Sequence, residues 1–368
     1  MLKLLGRRQD AHLVNLLATF SLKGRYYLLF PYAECNLREY WKRTPLPDFS
    51  GDTVSWTLGQ CKAMISALHT VHEYRPTRPP FHAFATSEAG SPDTFDSSSE
   101  NCIGLYGRHG DIKAENILWF CEEAINERGD LVIADFGLTA FHKRATRSEI
   151  GHITGTPSYE APETQLHSKI SRAFDIWSLG CLYLEFVTWL VGGWEHLKRF
   201  PDARGRYTEP ELNDDTFFTI MEGENQQRTA VVRQGVIEWI RDLHEMPRCS
   251  AFIHDLLDLI SAKMLVVNPK ERILSGPLNN ELKCMIDKAV ETPLYLTAPR
   301  PSSPRPQQNL QSSSLATAVW NGLVRAPSPN EGMALPGRSS MASIPQISPG
   351  HQQSLDDISP PTSPRPDS

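Results

Sequence analysis

The chain has 368 residues, 40% apolar and 22% charged, with 37 Lys and Arg against 43 Asp and Glu for a net charge of −6. That length suits one large domain with tails or two domains, and the apolar share is enough to bury a sizeable core. The charge balance excludes a strongly basic surface, so nucleic acid is not an expected partner, and without a run of 18 apolar residues neither is a membrane.

The first ten residues, MLKLLGRRQD, contain no apolar segment of the signal-peptide type. The seven cysteines are scattered and none lies in C-x-x-C. A reducing compartment, cytoplasmic or nuclear, is therefore expected, and neither a disulfide framework nor a zinc site is. Tyr26 to Pro31 (YYLLFP) reads as a short strand. Thr53 to His72 carries Trp56, Leu58, Met64, Ile65, Leu68 and Val71 on one helical face. A break follows from Arg75 to Leu105, with Pro76, Pro79, Pro80, Pro92 and Ser97-Ser98-Ser99; it reads as a long loop inserted in a folded domain. Ile117 to Phe120 (ILWF) and Leu131 to Ala134 (LVIA) are apolar runs, and Gly129-Asp130 between them suggests a hairpin.

Ser171 to Trp189 is a strong helix. Its most apolar part, Ile176 to Val191, is interrupted by Ser178, Glu185 and Thr188, so it reads as a buried core helix. Ile253 to Met264 predicts another. From Pro299 onward lie 13 of the 28 prolines, with few aromatics; such a stretch cannot offset its ordering entropy and is expected to be disordered. A few strands followed mostly by helices argue for an α+β fold.

The chemistry-bearing residues are concentrated in His109-Gly110-Asp111-Ile112-Lys113-Ala114-Glu115-Asn116. Nineteen residues after Asn116 comes Asp135-Phe136-Gly137, directly behind an apolar strand. Gly155-Thr156-Pro157 leads into Ala161-Pro162-Glu163, and Asp175-Ile176-Trp177-Ser178-Leu179-Gly180 follows. Taken singly, each residue has an ordinary reading: Asp111 as a loop carboxylate capping an amide, Lys113 as a solvated lysine, Asn116 and Asp135 as turn residues at strand ends.

Taken in order and at this spacing, D-x-K-x-x-N, DFG, APE and D-x-W-x-x-G resemble the C-terminal half of a eukaryotic protein kinase of the serine/threonine type. The run GRHGDIKAENILWF is similar to kinases of filamentous fungi. The resemblance covers residues 1–291 and implies a bilobal α+β fold, with a mostly helical large lobe and an incomplete small-lobe sheet. It implies ATP and Mg²⁺ as cofactors and a protein serine or threonine as acceptor. Phosphoryl transfer asks chiefly for positioning and electrostatic stabilisation. By the resemblance, Asp111 handles the proton of the acceptor hydroxyl, Lys113 faces the transferred phosphate, and Asn116 and Asp135 hold Mg²⁺ through oxygen. Lys113 and Thr156 together favour serine or threonine over tyrosine.

Other matches imply structural roles. His109, Phe136 and Gly137 fall at framework positions of the same motifs. Glu163 and Arg272 match a buried ion pair of the large lobe, and Asp175 a helix carboxylate that accepts backbone hydrogen bonds from the catalytic loop. His12 to Leu16 resembles the turn before the fourth strand of the small lobe. Phe30 then falls at the gatekeeper position, and Pro31-Tyr32-Ala33 at the hinge, with the Pro31 carbonyl and Ala33 amide toward the adenine edge.

The sequence departs from the family in two ways. Gly110 stands where the family's H-R-D has arginine, so the side chain that receives an activation-loop phosphate is missing, although Arg108 lies close by. A Thr146/Ser148/Thr154 triple alanine variant is accordingly expected to keep most of its rate in a phosphate-incorporation assay. Secondly, no G-x-G-x-x-G loop and no V-A-I-K strand precede His12, so the expectation is an N-terminally truncated kinase domain. Residues 1–32 would be the remnant of the small lobe, 33–291 the large lobe with an insert at 75–104, and 292–368 a Pro/Ser-rich tail. Two functions stay open: a serine/threonine kinase, or a catalytically impaired kinase-like scaffold or fragment lacking the glycine-rich loop and its lysine. The tail holds five Ser-Pro pairs, at Ser303, Ser328, Ser348, Ser359 and Ser363, open to proline-directed kinases; each phosphate would add about −1.5 to −2 charge.

Overall fold

The computed structural model describes residues 10–73, 105–122, 126–136, 140–143, 157–166, 168, 170–205, 215–223 and 228–299. The insert at 75–104, the candidate phosphorylation sites Thr146, Ser148 and Thr154, the motif residues Gly137 and Thr156, and the Ser-Pro pairs all lie outside the described residues.

The chain opens with an antiparallel hairpin, β1 (Ala18–Leu22) and β2 (Arg25–Leu29), turning at Lys23-Gly24. The expected strand at 26–31 is therefore present, but all ten strand residues are exposed, and no third strand joins them among the described residues. The preceding segment is tied to the rest through Ile133, whose amide donates to the His12 carbonyl at 2.8 Å and whose carbonyl accepts from Val14 at 2.9 Å.

The next strand, β3 (Cys35–Asn36), leads directly into α1 (Leu37–Arg43) because the Asn36 side chain caps it, accepting from the Glu39 amide at 2.9 Å. Ser50 caps α2 (Gly51–His72) in the same way through Thr53. Then come β4 (Leu105–Arg108), β5 (Ile117–Glu122), β6 (Asn126–Ile133) and β7 (Ala140–Lys143). β5 is the centre of an antiparallel sheet β3-β5-β6, and β4 pairs with β7.

The hairpin expected from the two apolar runs is thus formed, but Gly129-Asp130 is not its turn. Both residues lie inside β6, where the register shifts between Phe120 and Glu122. Gly129 has φ +67°, and a Cβ there would meet the Phe120 carbonyl at 2.3 Å, so only glycine suits the irregularity.

Beyond the sheets the fold is helical: α3 (Pro162–Gln165), α4 (Ala173–Leu197), α5 (Phe200–Gly205), α6 (Gln234–His244), α7 (Ala251–Leu259), α8 (Ser275–Glu291) and α9 (Leu294–Thr297). A small hairpin, β8 (Phe218–Glu222) and β9 (Arg228–Val232), interrupts them. A π-helical turn (Ile260–Met264) extends α7 through the rest of the expected 253–264 helix. The architecture is the expected α+β. The central helix α4 is long and apolar enough to cross a membrane, yet its most apolar window is wholly enclosed by the surrounding elements, as a core helix should be. Packed chain runs past the expected boundary at 291: Leu296 of α9 is buried, and Tyr295 meets Phe252 edge-on at 6.0 Å.

Candidate active site

The site is organised around Asp175, in the first turn of α4 and wholly buried. A buried carboxylate must be fully hydrogen-bonded, and this one is. Oδ1 accepts from the Gly110 amide at 2.8 Å, and Oδ2 from the His109 amide at 2.8 Å and from His72 Nε2 at 2.8 Å. Burial alone would raise its pKa; the hydrogen bond from His72, the nearby His72 and His109 rings and the Gly110 amide outweigh that and hold it below the usual carboxylate range. One side chain thereby fixes two consecutive peptide groups of the loop carrying Asp111.

His109 is also buried, and burial depresses its pKa against the opposing pull of Asp175, the Ala134 carbonyl, Asp111 and Asp135. Its neutral tautomer follows from its neighbours. Nε2 lies 3.0 Å from the Ala134 carbonyl, which can only accept, so Nε2 carries the proton; Nδ1 then accepts from the Asp111 amide at 3.3 Å. The ring meets Phe136 at 5.0 Å, tilted by 61°.

These shifts set a pH dependence. Both folded pKa values lie below the ordinary ones, so the unfolded chain binds more protons on acidification and stability falls. The His109 part is lost first, below about pH 6.5, and the Asp175 part below about pH 3.9. Urea midpoints from pH 7 to 3.5 are expected to decline in that order, with the upper step reduced in His109→Gln; a flat profile would contradict it.

Gly110 has φ +88°. The glycine that costs the family's arginine side chain therefore also lets the loop take the left-handed bend that points both amides at Asp175. Gly110→Ala is expected to lower unfolding free energy by about 1 kcal/mol, as any L side chain would in that region.

Asp111 is mostly enclosed, its side chain 11% exposed. Oδ2 receives the Lys113 ammonium at 2.8 Å and the Asn116 Nδ2 at 2.8 Å, and the same Nδ2 donates to the Asp111 carbonyl at 2.8 Å. A short 3₁₀ turn (Ala114–Asn116) brings Lys113 and Asn116 onto the Asp111 carboxylate while Ile112 and Ala114 plug into the core. The β5–β6 ladder brings the segments that carry Asn116 and Asp135 side by side. Ile117 pairs with Ile133, Ala134 donates to the Asn116 carbonyl at 2.9 Å, and Asp135 follows at φ +61°, exposed. With Nδ2 committed to Asp111, Asn116 keeps its amide oxygen as a donor, and Asp135 adds a carboxylate from the adjoining segment. Hard oxygen donors of this kind fit Mg²⁺, which keeps several waters of its own.

Pro31 and Ala33 lie in the half-buried link from β2 to β3, flanking exposed Tyr32. Glu163 and Arg272 form a bidentate pair, Nη1 to Oε1 at 2.9 Å and Nη2 to Oε2 at 3.0 Å, with neither side chain exposed.

Sequence reasoning missed two groups. One is His72, the buried last residue of α2, which completes the Asp175 shell. The other joins α1, the loop and α4: Arg38 donates to Glu185 Oε2 at 2.8 Å, to the Tyr159 hydroxyl at 2.7 Å and to Glu115 at 3.1 Å, and Tyr159 donates to Glu185 at 2.6 Å. Burial, followed by the Glu185 charge, raises the Tyr159 pKa and keeps the phenol a donor. The available signal was Glu185 itself, a single carboxylate inside the most apolar run of the chain, which demands a cationic partner.

Residues 107–199 match the protein kinase domain model. The chain is 34% identical over 173 residues to mitogen-activated protein kinase HOG1 of Wallemia sebi, covering 46% of this chain and 55% of that protein. To mitogen-activated protein kinase hog1 of Aspergillus niger it is 32% identical over 174 residues, covering 46% and 42%. To serine/threonine-protein kinase 17A of Oryctolagus cuniculus it is 41% identical over 80 residues, covering 22% and 19%. The chain thus spans about half or less of the length of these curated relatives.

Proposed function

We propose that this chain, whose residues 107–199 match the protein kinase domain model, is a eukaryotic protein kinase that transfers the γ-phosphate of ATP to serine or threonine hydroxyls of protein substrates. The observation that carries this reading is the convergence of Lys113 and Asn116 on one oxygen of Asp111, each at 2.8 Å. Asp111 has one oxygen so engaged and a second to accept or orient the proton of an incoming hydroxyl. Lys113 offers its ammonium to the phosphoryl group as that group approaches the hydroxyl, so the cation that orients the base also offsets charge on the transferred group. Asn116 and Asp135 would hold Mg²⁺, which when bound neutralises phosphate oxygens. Pro31 and Ala33 would meet the adenine edge. Phe136 and His109 keep the Asp135 backbone packed against the loop, and Asp175 holds that loop in register. Gly137 and Thr156 would complete the metal-binding and acceptor-side segments. The domain would run past 291 through α9, with a phosphorylatable tail beyond the packed chain.

A second reading is a kinase-like binding module with impaired transfer. It is favoured by the β1–β2 hairpin, whose residues Phe20, Leu22, Leu28 and Leu29 are each at least half exposed; a two-stranded sheet alone is marginal in water. Titration calorimetry with ATP–Mg²⁺, followed by phosphate incorporation into a generic protein substrate, separates the two. Binding with transfer that depends on Asp111 supports the kinase. Binding or folding without transfer supports the module.

A further inference from the structure

At the junction of α6 and α7 three nitrogen and sulfur donors converge. His244 ends α6, Cys249 precedes the Ser250 cap of α7, and His254 lies in the first turn of α7. One ligand atom from each falls within 4.8 Å of the others. His254 Nδ1 is 2.8 Å from His244 Nδ1 and 3.5 Å from Cys249 Sγ, and the two imidazole planes are 10° apart. Cys249 and His254 are buried, while His244 is partly open to solvent and gives an entry path. The Asp258 carboxylate, one turn further along α7, lies 3.6 Å from His244 Nε2.

We propose that this junction is a zinc site, with His244 Nδ1, Cys249 Sγ and His254 Nδ1 as ligands and water in the fourth position. Two imidazoles and a thiolate suit a borderline-soft divalent ion and not Mg²⁺ or Ca²⁺, which require oxygens. Tetrahedral zinc, with Zn–N of about 2.0–2.1 Å and Zn–S of about 2.3 Å, places N and S about 3.5 Å apart and two nitrogens about 3.3 Å apart. The Cys249–His254 distance already meets the first requirement. The histidine pair sits at the separation of a hydrogen bond; the rings turn and part by about half an ångström as the metal replaces the shared proton. On binding, the Cys249 thiol loses its proton to solvent, and the ring that held the shared Nδ1 proton gives it up and is protonated through solvent at Nε2 instead, so that each histidine ends with one proton, at Nε2. For His244 that proton faces Asp258, the carboxylate that orients a metal-bound imidazole. The Cys249 thiolate lies at the α7 N-terminus, where unpaired amides favour negative charge. The spacing His-x₄-Cys-x₄-His straddles a helix break and contains no C-x-x-C, which is why the sequence expectation passed over zinc.

The test uses the full chain, stripped with a chelator and titrated with Co²⁺ and then Zn²⁺. One Co²⁺ per chain is expected, with tetrahedral visible bands and a thiolate-to-cobalt band that Zn²⁺ displaces. Cys249→Ser should abolish the charge-transfer band and weaken binding at least about tenfold, whereas Cys284→Ser, at an exposed cysteine, should change nothing. Zn²⁺ should raise the thermal midpoint of the wild type and not that of His254→Gln. If Cys249→Ser fails to fold, His244→Gln at the more open ligand serves instead and should lose at least about tenfold in affinity. No uptake by folded wild type, or bands that survive these substitutions, would overturn the site and leave a proton-sharing histidine pair.

Discussion

Asp111→Asn is expected to cut phosphoryl transfer by about 10²–10⁴-fold, the range attributed to a positioned general base. The amide keeps the size of the carboxylate but loses the proton-accepting oxygen, and it presents an NH₂ to Lys113 and Asn116, which themselves donate to Asp111 Oδ2. Asp135→Asn should do comparable damage by a different route, since it removes the only charged ligand proposed for Mg²⁺. The two variants are separable. Asp135→Asn should weaken Mg²⁺-dependent ATP binding, whereas Asp111→Asn should bind the nucleotide nearly as well as the wild type. Neither carboxylate lies in the core, so thermal midpoints should stay close to wild type. Transfer within tenfold of wild type in either variant would remove that residue from the mechanism.

What the sequence made legible, and what it hid, follows from distance along the chain. The loop at 109–116 could be read because its function requires residues at fixed short spacing. The helix α4 could be read because twelve apolar residues among the sixteen from Ile176 to Val191 leave no other place for them than a core. The strands β5 and β6 were visible as apolar runs, but the role of Gly129 was not, since a bulge depends on what lies across the ladder. His72 and Asp175 are 103 residues apart, and Arg38 and Tyr159 are 121 apart. No local period records such pairings, and only an isolated charge in an apolar segment, as at Glu185, hints that one exists. The exposure of β1–β2 was hidden for a similar reason: YYLLF has no alternation to assign a face, so burial is decided by neighbours and not by the strand itself.

Arg272→Met is expected to be the most damaging change to stability, at about 3–5 kcal/mol, the cost of breaking a buried pair. All five guanidinium N–H groups have acceptors. Nε donates to the Val266 carbonyl at 2.8 Å, Nη1 to Glu163 at 2.9 Å and to the Ala173 carbonyl at 2.8 Å, and Nη2 to Glu163 at 3.0 Å and to the Val267 carbonyl at 3.2 Å. The guanidinium also lies over the Trp177 ring, 5.1 Å from its centroid. Methionine fills much of the volume but strands the buried Glu163 carboxylate and removes a donor from each of three carbonyls. Against a typical total stability of about 5–15 kcal/mol, that is enough to unfold a marginal domain. The double variant Glu163→Leu/Arg272→Met removes the stranded charge and should recover part of the loss. It should not recover all of it, because the carbonyls of Val266 and Val267 lose the donors that Arg272 supplied. Urea unfolding of the three proteins gives the coupling directly; a single-variant cost below about 1 kcal/mol would show that the pair is not what anchors this region. The consequence reaches the site. Glu163 lies in the first turn of α3, shortly after the turn that holds Tyr159, and Ala173 begins the helix that carries Asp175. Loosening Arg272 therefore frees both supports of the Asp111 loop, and activity should fall at temperatures where the variant is still folded.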